Sequence, residues 1–246
     1  MRFALEFEFV NADIPLDYRR KFLSFFKKAF ENYDKEVFEQ LFGEGRISTK
    51  PYTFSVYLGQ VKFERDYISF KEHKKAVLNF STSDAAYGIL FYNSMLKMHN
   101  VLYPVEKNSM TLRRISLVKE HVIAGSRIVV RTLSPVIARE HKKERKIDNY
   151  FIASEEGFEK VLKENIEQGS KEFFDFDIHE DLMELKVIPV EVRDTKILHY
   201  GHKFFGSIGR FVLEGKPYLL DYLVKAGMGA RRSQGFGMIE VEEVTE

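Results

Sequence analysis

The sequence contains no cysteine and no tryptophan among its 246 residues. Without cysteine, the chain can form neither disulfides nor thiolate metal sites, and this composition fits a reducing compartment. No segment approaches the ~18 consecutive apolar residues of a membrane-spanning helix. The first nine residues alternate apolar and polar side chains, which predicts a strand and not a signal peptide. We therefore expect a cytoplasmic protein with no membrane partner.

A large excess of either charge is also absent, because the formal net charge is +1. This value alone argues against a surface coated with basic residues for nucleic acid. The distribution is uneven, however: residues 107–146 contain eleven Lys or Arg and three Glu, whereas residues 154–181 contain three Lys and ten Asp or Glu. Such a basic stripe would steer a polyanion to one face. Blocks of like charge are also common on ordinary solvated surfaces, so both interpretations remain open.

The apolar pattern predicts the same order of elements twice: strand, helix, two or more strands, helix, strand. Residues 3–9 alternate as a strand, residues 18–30 follow a helical spacing with a basic outer face, and a second helix starts at Ser83 or Asp84. Later, Pro217 suits the first turn of a final helix. We predict an α+β fold of two tandem ferredoxin-like (βαββαβ, RRM-like) domains with antiparallel sheets, at residues 1–122 and 123–246. The 23 phenylalanines should fill the cores.

A glycine-rich loop, residues 227–238, lies between that last helix and a short apolar strand. Its glycines allow consecutive N–H groups to point into one concavity and bind an anion such as phosphate. Two neighbouring arginines in the loop would add positive charge. The loop follows a helix and ends in Gly-Phe-Gly, so it is neither a dinucleotide fingerprint nor a P-loop. A simple glycine-rich turn is the alternative interpretation.

This loop resembles the C-terminal glycine-rich loop of the Cas6 family of CRISPR RNA-processing proteins. Thr132-Leu-Ser-Pro135 and the strand followed by an aromatic helix extend the resemblance over most of the chain. It implies tandem ferredoxin-like domains, CRISPR repeat RNA as partner, and a metal-independent endoribonuclease in which the ribose 2′-OH attacks the adjacent phosphate. A CRISPR effector complex and a homodimer are left open. The predicted RNA-binding residues are Gly227, Gly229, Arg231, Arg232, Ser233, Gly235, Gly237, Lys27, Lys28, Arg139, Lys142 and Lys143.

The resemblance also implies a catalytic centre near the first helix. Many Cas6 proteins place a histidine just after that helix, with a tyrosine on it and a lysine before the next strand. Lys50 stands where the lysine is expected, but residues 31–60 contain no histidine. The predicted catalytic residues are therefore Lys50, Arg46 for the phosphate, and Tyr33 as a weak proton donor, with Tyr52 as a second candidate for that role. No cofactor or metal is expected, because the closest histidine pair, at residues 199 and 202, has no carboxylate cluster.

Three hypotheses follow from the sequence. The first is an endoribonuclease that cleaves CRISPR repeat RNA. The second is a catalytically weak or inactive relative that binds repeat RNA or serves in an effector complex. The third is a ferredoxin-like protein whose glycine loop binds a small phosphorylated ligand. The first two differ in whether RNA is cut, and the third predicts no affinity for RNA.

Overall fold

The computed structural model describes residues 1–43, 49–142 and 147–245. Within these ranges the α-helices are α1 Tyr18–Tyr33, α2 Lys35–Phe42, α3 Ala85–Leu96, α4 Phe158–Ser170, α5 His179–Glu184 and α6 Pro217–Ala226. The strands of the first half are β1 Arg2–Phe9, β2 Asp13–Pro15, β3 Tyr52–Tyr57, β4 Val61–Phe63, β5 Tyr67–Phe70, β6 Lys75–Thr82, β7 Leu102–Val105 and β8 Asn108–Val118. Those of the second half are β9 Arg127–Thr132, β10 Ala138–Lys142, β11 Ile147–Phe151, β12 Lys186–His199, β13 His202–Glu214 and β14 Ile239–Thr245.

The first half is built on a five-stranded antiparallel sheet with the strand order β3-β6-β1-β8-β7. The first strand lies at its centre because its alternating residues bury Phe3, Leu5 and Phe7 on one face. Helices α1 and α3 supply the aromatic side chains that cover this face, with the rings of Phe26 and Phe91 5.1 Å apart at an angle of 88°. The prediction of a phenylalanine-filled core is confirmed for this half, whereas the main core of the second half is largely aliphatic, with Phe158 and Phe211 as its buried phenylalanines.

The second half repeats this strand arrangement in a four-stranded sheet with the order β12-β13-β9-β14. In both halves the first strand of the unit lies between the third and the fourth, as the βαββαβ order requires. The predicted α+β class and the tandem ferredoxin-like architecture are confirmed. Two smaller sheets are added: β2, β5 and β4 in the first half, and the hairpin of β10 and β11 in the second.

Local sequence signals account for most element boundaries. The side chain of Asp84 accepts a hydrogen bond from the backbone N–H of Tyr87 at 3.0 Å, so α3 begins with a true N-cap. Pro217 occupies the first turn of α6, as predicted. The paired strands β12 and β13 form an antiparallel ladder from Lys186 opposite Glu214 to His199 opposite His202. They meet in a tight turn at Tyr200 and Gly201, where both residues adopt positive φ angles of 50° and 76°.

The two halves meet through buried polar contacts as well as apolar packing. Arg2 on β1 is 7% exposed and donates to the carbonyl oxygens of Val224 at 3.0 Å and of Ile239. The hydroxyl of Thr53 donates to the carbonyl of Phe236 at 2.8 Å. The predicted boundary between residues 122 and 123 stays a prediction. Of the helices in the described ranges, none combines the length and the apolar character needed to cross a bilayer.

Candidate functional site

A cleft of about 490 Å³ lies between residues 49–50 and the second half of the chain. Thr49 and Lys50 line one side, and the β10 strand, helix α4 and the glycine loop line the other. Its basic side chains are Lys50, His141 and the arginines at 139, 231 and 232, whereas its carboxylates are Glu140 and Glu164. The cleft therefore combines an excess of cationic groups with room for a small part of a polyanion.

Lys50 is partly buried on its side of the cleft. Its Nζ donates to the carbonyl oxygen of Leu41 at 2.8 Å and lies 4.1 Å from the centroid of the Phe42 ring. Burial and, to a smaller extent, the positive charge of Lys27 together lower the pKa of Lys50 to about 8. At neutral pH Lys50 is therefore mostly protonated, yet it releases its proton more readily than an ordinary lysine.

Lys27 is the second predicted residue that the fold brings to this end of the cleft. It extends from α1 and its Nζ lies 5.7 Å from the centroid of the same Phe42 ring. Helix α2 presents this ring to both lysines because Asp34, its N-cap, fixes the start of the helix by accepting the N–H groups of Glu36 and Val37. The Phe42 ring thus contacts both ammonium groups, and the charge of Lys27 acts on Lys50.

Asp148 on β11 organises the opposite wall. Its carboxylate receives Nη2 of Arg139 at 2.9 Å and Nη2 of Arg231 at 3.3 Å, and also contacts His141 at 2.7 Å. Burial by itself would raise the pKa of Asp148, but the hydrogen bonds from Arg139 and His141 outweigh it and hold the pKa at about 2. Asp148 is therefore ionised at neutral pH and fixes both guanidiniums at the cleft.

The glycine loop has a different purpose from the one its sequence predicted. The N–H groups of Gly227, Gly235 and Gly237 already donate to carbonyl oxygens within the protein, at 2.9, 3.1 and 2.8 Å. A Cβ at Gly235 would lie 2.7 Å from the ring of Phe54, in the first half of the chain. Gly227, where a Cβ would lie 2.8 Å from Thr53, and Gly235 thus allow close packing between the halves, and Gly237 allows close packing within the loop against Met228, which corrects the prediction of a backbone cradle for phosphate. Gly229, by contrast, lines the cleft.

The two loop arginines have separate roles. Arg232 is 5% exposed, and its guanidinium donates to the carbonyl of Gly169 at 2.7 Å and to the hydroxyl of Tyr222 at 3.0 Å. This side chain is a structural tie between the loop and helix α4, so the prediction of RNA contact by Arg232 is corrected. Arg231 and Ser233 are only half-buried and line the cleft, so they remain candidate RNA ligands.

Other predicted residues lie elsewhere. Tyr33 is the last residue of α1, half-buried, and is not among the residues that line the cleft. Tyr52 is 1% exposed, and burial raises its pKa, so it is a poor proton donor. Lys28 is paired with Glu31 at 3.0 Å, and Lys142 with Glu140 at 3.4 Å, both on exposed surface. Arg46 and Lys143 lie outside the described residues.

Over its described residues, 107–142, the basic stripe is not a continuous positive surface. Its arginines on the sheets pair with carboxylates of neighbouring strands: Arg113 with Glu8 at 2.9 Å and Arg131 with Glu240, for example. Cross-strand pairing of this kind neutralises much of the local charge. Of the lysines and arginines in the described part of this stripe, Arg139 is the one that lines the cleft.

The histidines at 199 and 202 do not form a shared site. They oppose one another across the β12–β13 turn, where His199 is 2% exposed and bonds Asp17 at 3.0 Å and Gln234 at 3.2 Å. Its role is to tie the turn to the start of α1 and to the glycine loop. Among the described residues there is no group of three His, Asp or Glu side chains placed to hold a metal ion.

Residues 118–241 match the family model described as "CRISPR associated protein Cas6, C-terminal", and this segment is half of the chain. The chain belongs to the Cas6 family. The resemblance that the glycine loop suggested is thereby confirmed, although most of the loop packs inward. No curated protein matches the sequence.

Solved structures show the same fold over the whole chain. The product of a Cas6-related gene from Pyrococcus furiosus superposes with a TM-score of 0.82 at 17% identity, covering 100% of this chain and 99% of the other. A RAMP protein described as binding different RNA substrates gives 0.78 at 18% identity, covering 99% and 100%. A Cas6 product complex gives 0.70 at 16% identity, covering 98% and 100%. At these identities the likeness establishes the architecture of this Cas6 protein.

Proposed function

We propose that this Cas6 protein is a metal-independent endoribonuclease that binds CRISPR repeat RNA and cleaves it within the cleft between its halves. The observation that carries the proposal is the convergence of Lys50 with Arg139 and Arg231 in one cavity, in a chain of the Cas6 family. The product complex and the RNA-binding RAMP protein that share this fold support RNA as the ligand class.

The reaction needs few groups from the protein. The 2′-oxygen of a ribose attacks the adjacent phosphorus, the bond to the 5′-oxygen breaks, and a 2′,3′-cyclic phosphate and a 5′-hydroxyl result. Arg139 and Arg231 are placed to stabilise the negative charge on the phosphate oxygens, because Asp148 fixes both guanidiniums. Lys50, with its pKa lowered to about 8, suits donation of a proton to the leaving 5′-oxygen.

The second candidate is a relative that binds repeat RNA without cleaving it, alone or within an effector complex. The specific observation in its favour is the lack of histidine among residues 31–60, where many Cas6 proteins carry one. The phosphate contacts would be shared by both candidates, so only the chemistry separates them.

The experiment is incubation of the purified protein with labelled CRISPR repeat RNA in EDTA, beside the same RNA with a single 2′-deoxy substitution at the cut site. We expect one cut in the first RNA, ending in a cyclic phosphate, and none in the second. Binding of both RNAs without any cut would favour the non-cleaving candidate. The absence of binding would refute both.

A further inference from the structure

His141 occupies a position in the cleft that no sequence motif indicated. It lies on β10 directly opposite Asp148 on β11, and its Nδ1 is 2.7 Å from Oδ1 of that carboxylate. The imidazole lines the same cavity as Lys50, although 91 positions separate the two residues in sequence. Its side chain is 44% exposed, so a ligand in the cleft can reach the ring.

The hydrogen bond to Asp148 fixes which nitrogen carries the proton. An ionised carboxylate only accepts hydrogen bonds, and Asp148 is held ionised by Arg139, Arg231 and Tyr150 as well as by His141. Nδ1 of His141 must therefore be the donor. In the neutral imidazole the lone pair then lies on Nε2, on the far side of the ring from Asp148. This is the arrangement that orients a histidine as a proton acceptor in catalytic dyads.

Charged groups of both signs surround the ring in the described part of the chain. The charged or titratable groups include Asp148, Tyr150, Arg139, Glu140, Lys142, Glu164, Arg231 and, across the cleft, Lys50. Arg139, the nearest cation, has its Nη2 3.4 Å from Nδ1 of His141, and it is itself paired with Asp148. The positive charge of Arg139 is thus directed at the carboxylate as well as at the imidazole.

We propose that His141 is the general base of the cleavage reaction, with Asp148 as its positioning residue. This inference rests on the proposed function. The proton of the attacking 2′-OH passes to Nε2 of His141 as the new oxygen–phosphorus bond forms. The phosphorus–oxygen bond to the 5′-oxygen breaks, and that oxygen takes a proton from the Lys50 ammonium. The imidazolium and the neutral lysine then exchange protons with solvent. His141 therefore takes the catalytic role of the histidine that many Cas6 proteins carry after the first helix.

The test is single-turnover cleavage of repeat RNA by His141→Gln, with RNA affinity measured separately by fluorescence anisotropy. His179→Gln is the matched control, because His179 also bonds a carboxylate, Glu167 at 3.1 Å, but lies outside the cleft. We expect His141→Gln to lower the rate by ~10²–10⁴-fold and to abolish the acid limb of the pH–rate profile, with affinity unchanged. His179→Gln should cleave as the unmodified protein does.

An RNA with sulfur in place of the 5′-oxygen at the cut site separates the base from the acid, because a thiolate leaves without protonation. This RNA should restore cleavage by Lys50→Ala but not by His141→Gln. Asp148→Ala should lower the rate and alter the pH–rate profile. Restored cleavage by His141→Gln, or an unmodified rate on ordinary RNA, would overturn this inference while leaving the proposed function standing. If the unmodified protein itself binds RNA without cutting, the endonuclease proposal fails and this inference fails with it.

Discussion

Lys50 combines three features that rarely meet on one lysine: partial burial, an aromatic ring beneath its ammonium, and a second lysine nearby. Because burial and the charge of Lys27 both disfavour the ammonium, its pKa falls to about 8. A lysine of this kind serves as a proton donor near neutral pH, whereas an ordinary lysine with a pKa of ~10.4 holds its proton too tightly.

The pKa of Lys50 can be measured without RNA, by NMR titration of protein labelled with ¹³C-lysine. We expect Lys50 to titrate near pH 8. Lys27→Ala should raise this pKa because it removes the like charge, whereas Lys28→Ala should not, since the charge of Lys28 is paired with Glu31 on exposed surface. A Lys50 that titrates at ~10.4, or that responds equally to both variants, would contradict this electrostatic description.

Arg232 gives a second prediction at the residue scale. Its buried guanidinium satisfies the carbonyl of Gly169 and the hydroxyl of Tyr222. Arg232→Ala should therefore lower the free energy of unfolding in urea by ~3 kcal/mol, because it leaves buried polar groups unpaired. Arg231→Ala should cost less stability but weaken RNA binding and reduce its salt dependence. The opposite pattern, with Arg231 structural and Arg232 essential for RNA, would contradict the assignment.

The proposed catalytic residues were not equally predictable from the sequence. Lys50 was found because its position before β3 matches a family pattern. His141 was missed because its partners, Asp148 seven residues later and Lys50 far earlier, become neighbours only through the hairpin and the packing of the halves. The paired arginines looked alike in sequence, and only the fold distinguishes the buried one from the one at the cleft.

At the scale of elements, the glycine loop acts as a packing element between the halves. Its glycines were predicted to let an external phosphate approach the backbone. They instead let other parts of the chain approach it, for which the same lack of a Cβ is required. Sequence alone does not distinguish these two uses, whereas the βαββαβ order was predictable because alternation and helical spacing are local properties of each segment.

The tight packing within the glycine loop can be tested with two glycines that have similar φ angles. Gly237 has a φ of +70°, and a Cβ there would collide with the carbonyl oxygen of Met228; Gly59 has a φ of +67°, and a Cβ there would meet no described atom within 4 Å. Gly59→Ala should cost only the conformational strain, ~1 kcal/mol, while Gly237→Ala should cost ~1–3 kcal/mol more in urea denaturation. Equal losses in the two variants would show that the loop is not tightly packed.

At the scale of the whole molecule, buried polar contacts connect the two halves, so we expect the halves to unfold together. Arg2 reaches from β1 to carbonyl oxygens of α6 and β14, more than 200 positions away in sequence. No periodicity in the sequence predicted this contact, because it depends on which faces of two similar domains meet. The cleft exists only because these faces are held together.

Arg2→Met should weaken the contact between the two halves, because it removes the hydrogen bonds of the guanidinium. We expect calorimetry to show one unfolding transition for the unmodified protein and a broadened or divided transition for the variant, with a loss of ~2–4 kcal/mol. Arg113→Met is the control, since Arg113 lies on the same sheet but pairs with Glu8 on exposed surface and should change stability by less than ~1 kcal/mol. Similar effects of both variants would mean that Arg2 does not join the halves.

We propose that RNA is cleaved in the cleft around Lys50. The most direct test is to compare the single-turnover cleavage rates of Lys50→Ala and Lys28→Ala. We predict that Lys50→Ala cleaves repeat RNA ~10²–10⁴-fold more slowly at pH 7 while binding it with similar affinity. Lys28→Ala should retain the unmodified rate. Cleavage by Lys50→Ala at the rate of the unmodified protein would place the reaction elsewhere on the molecule.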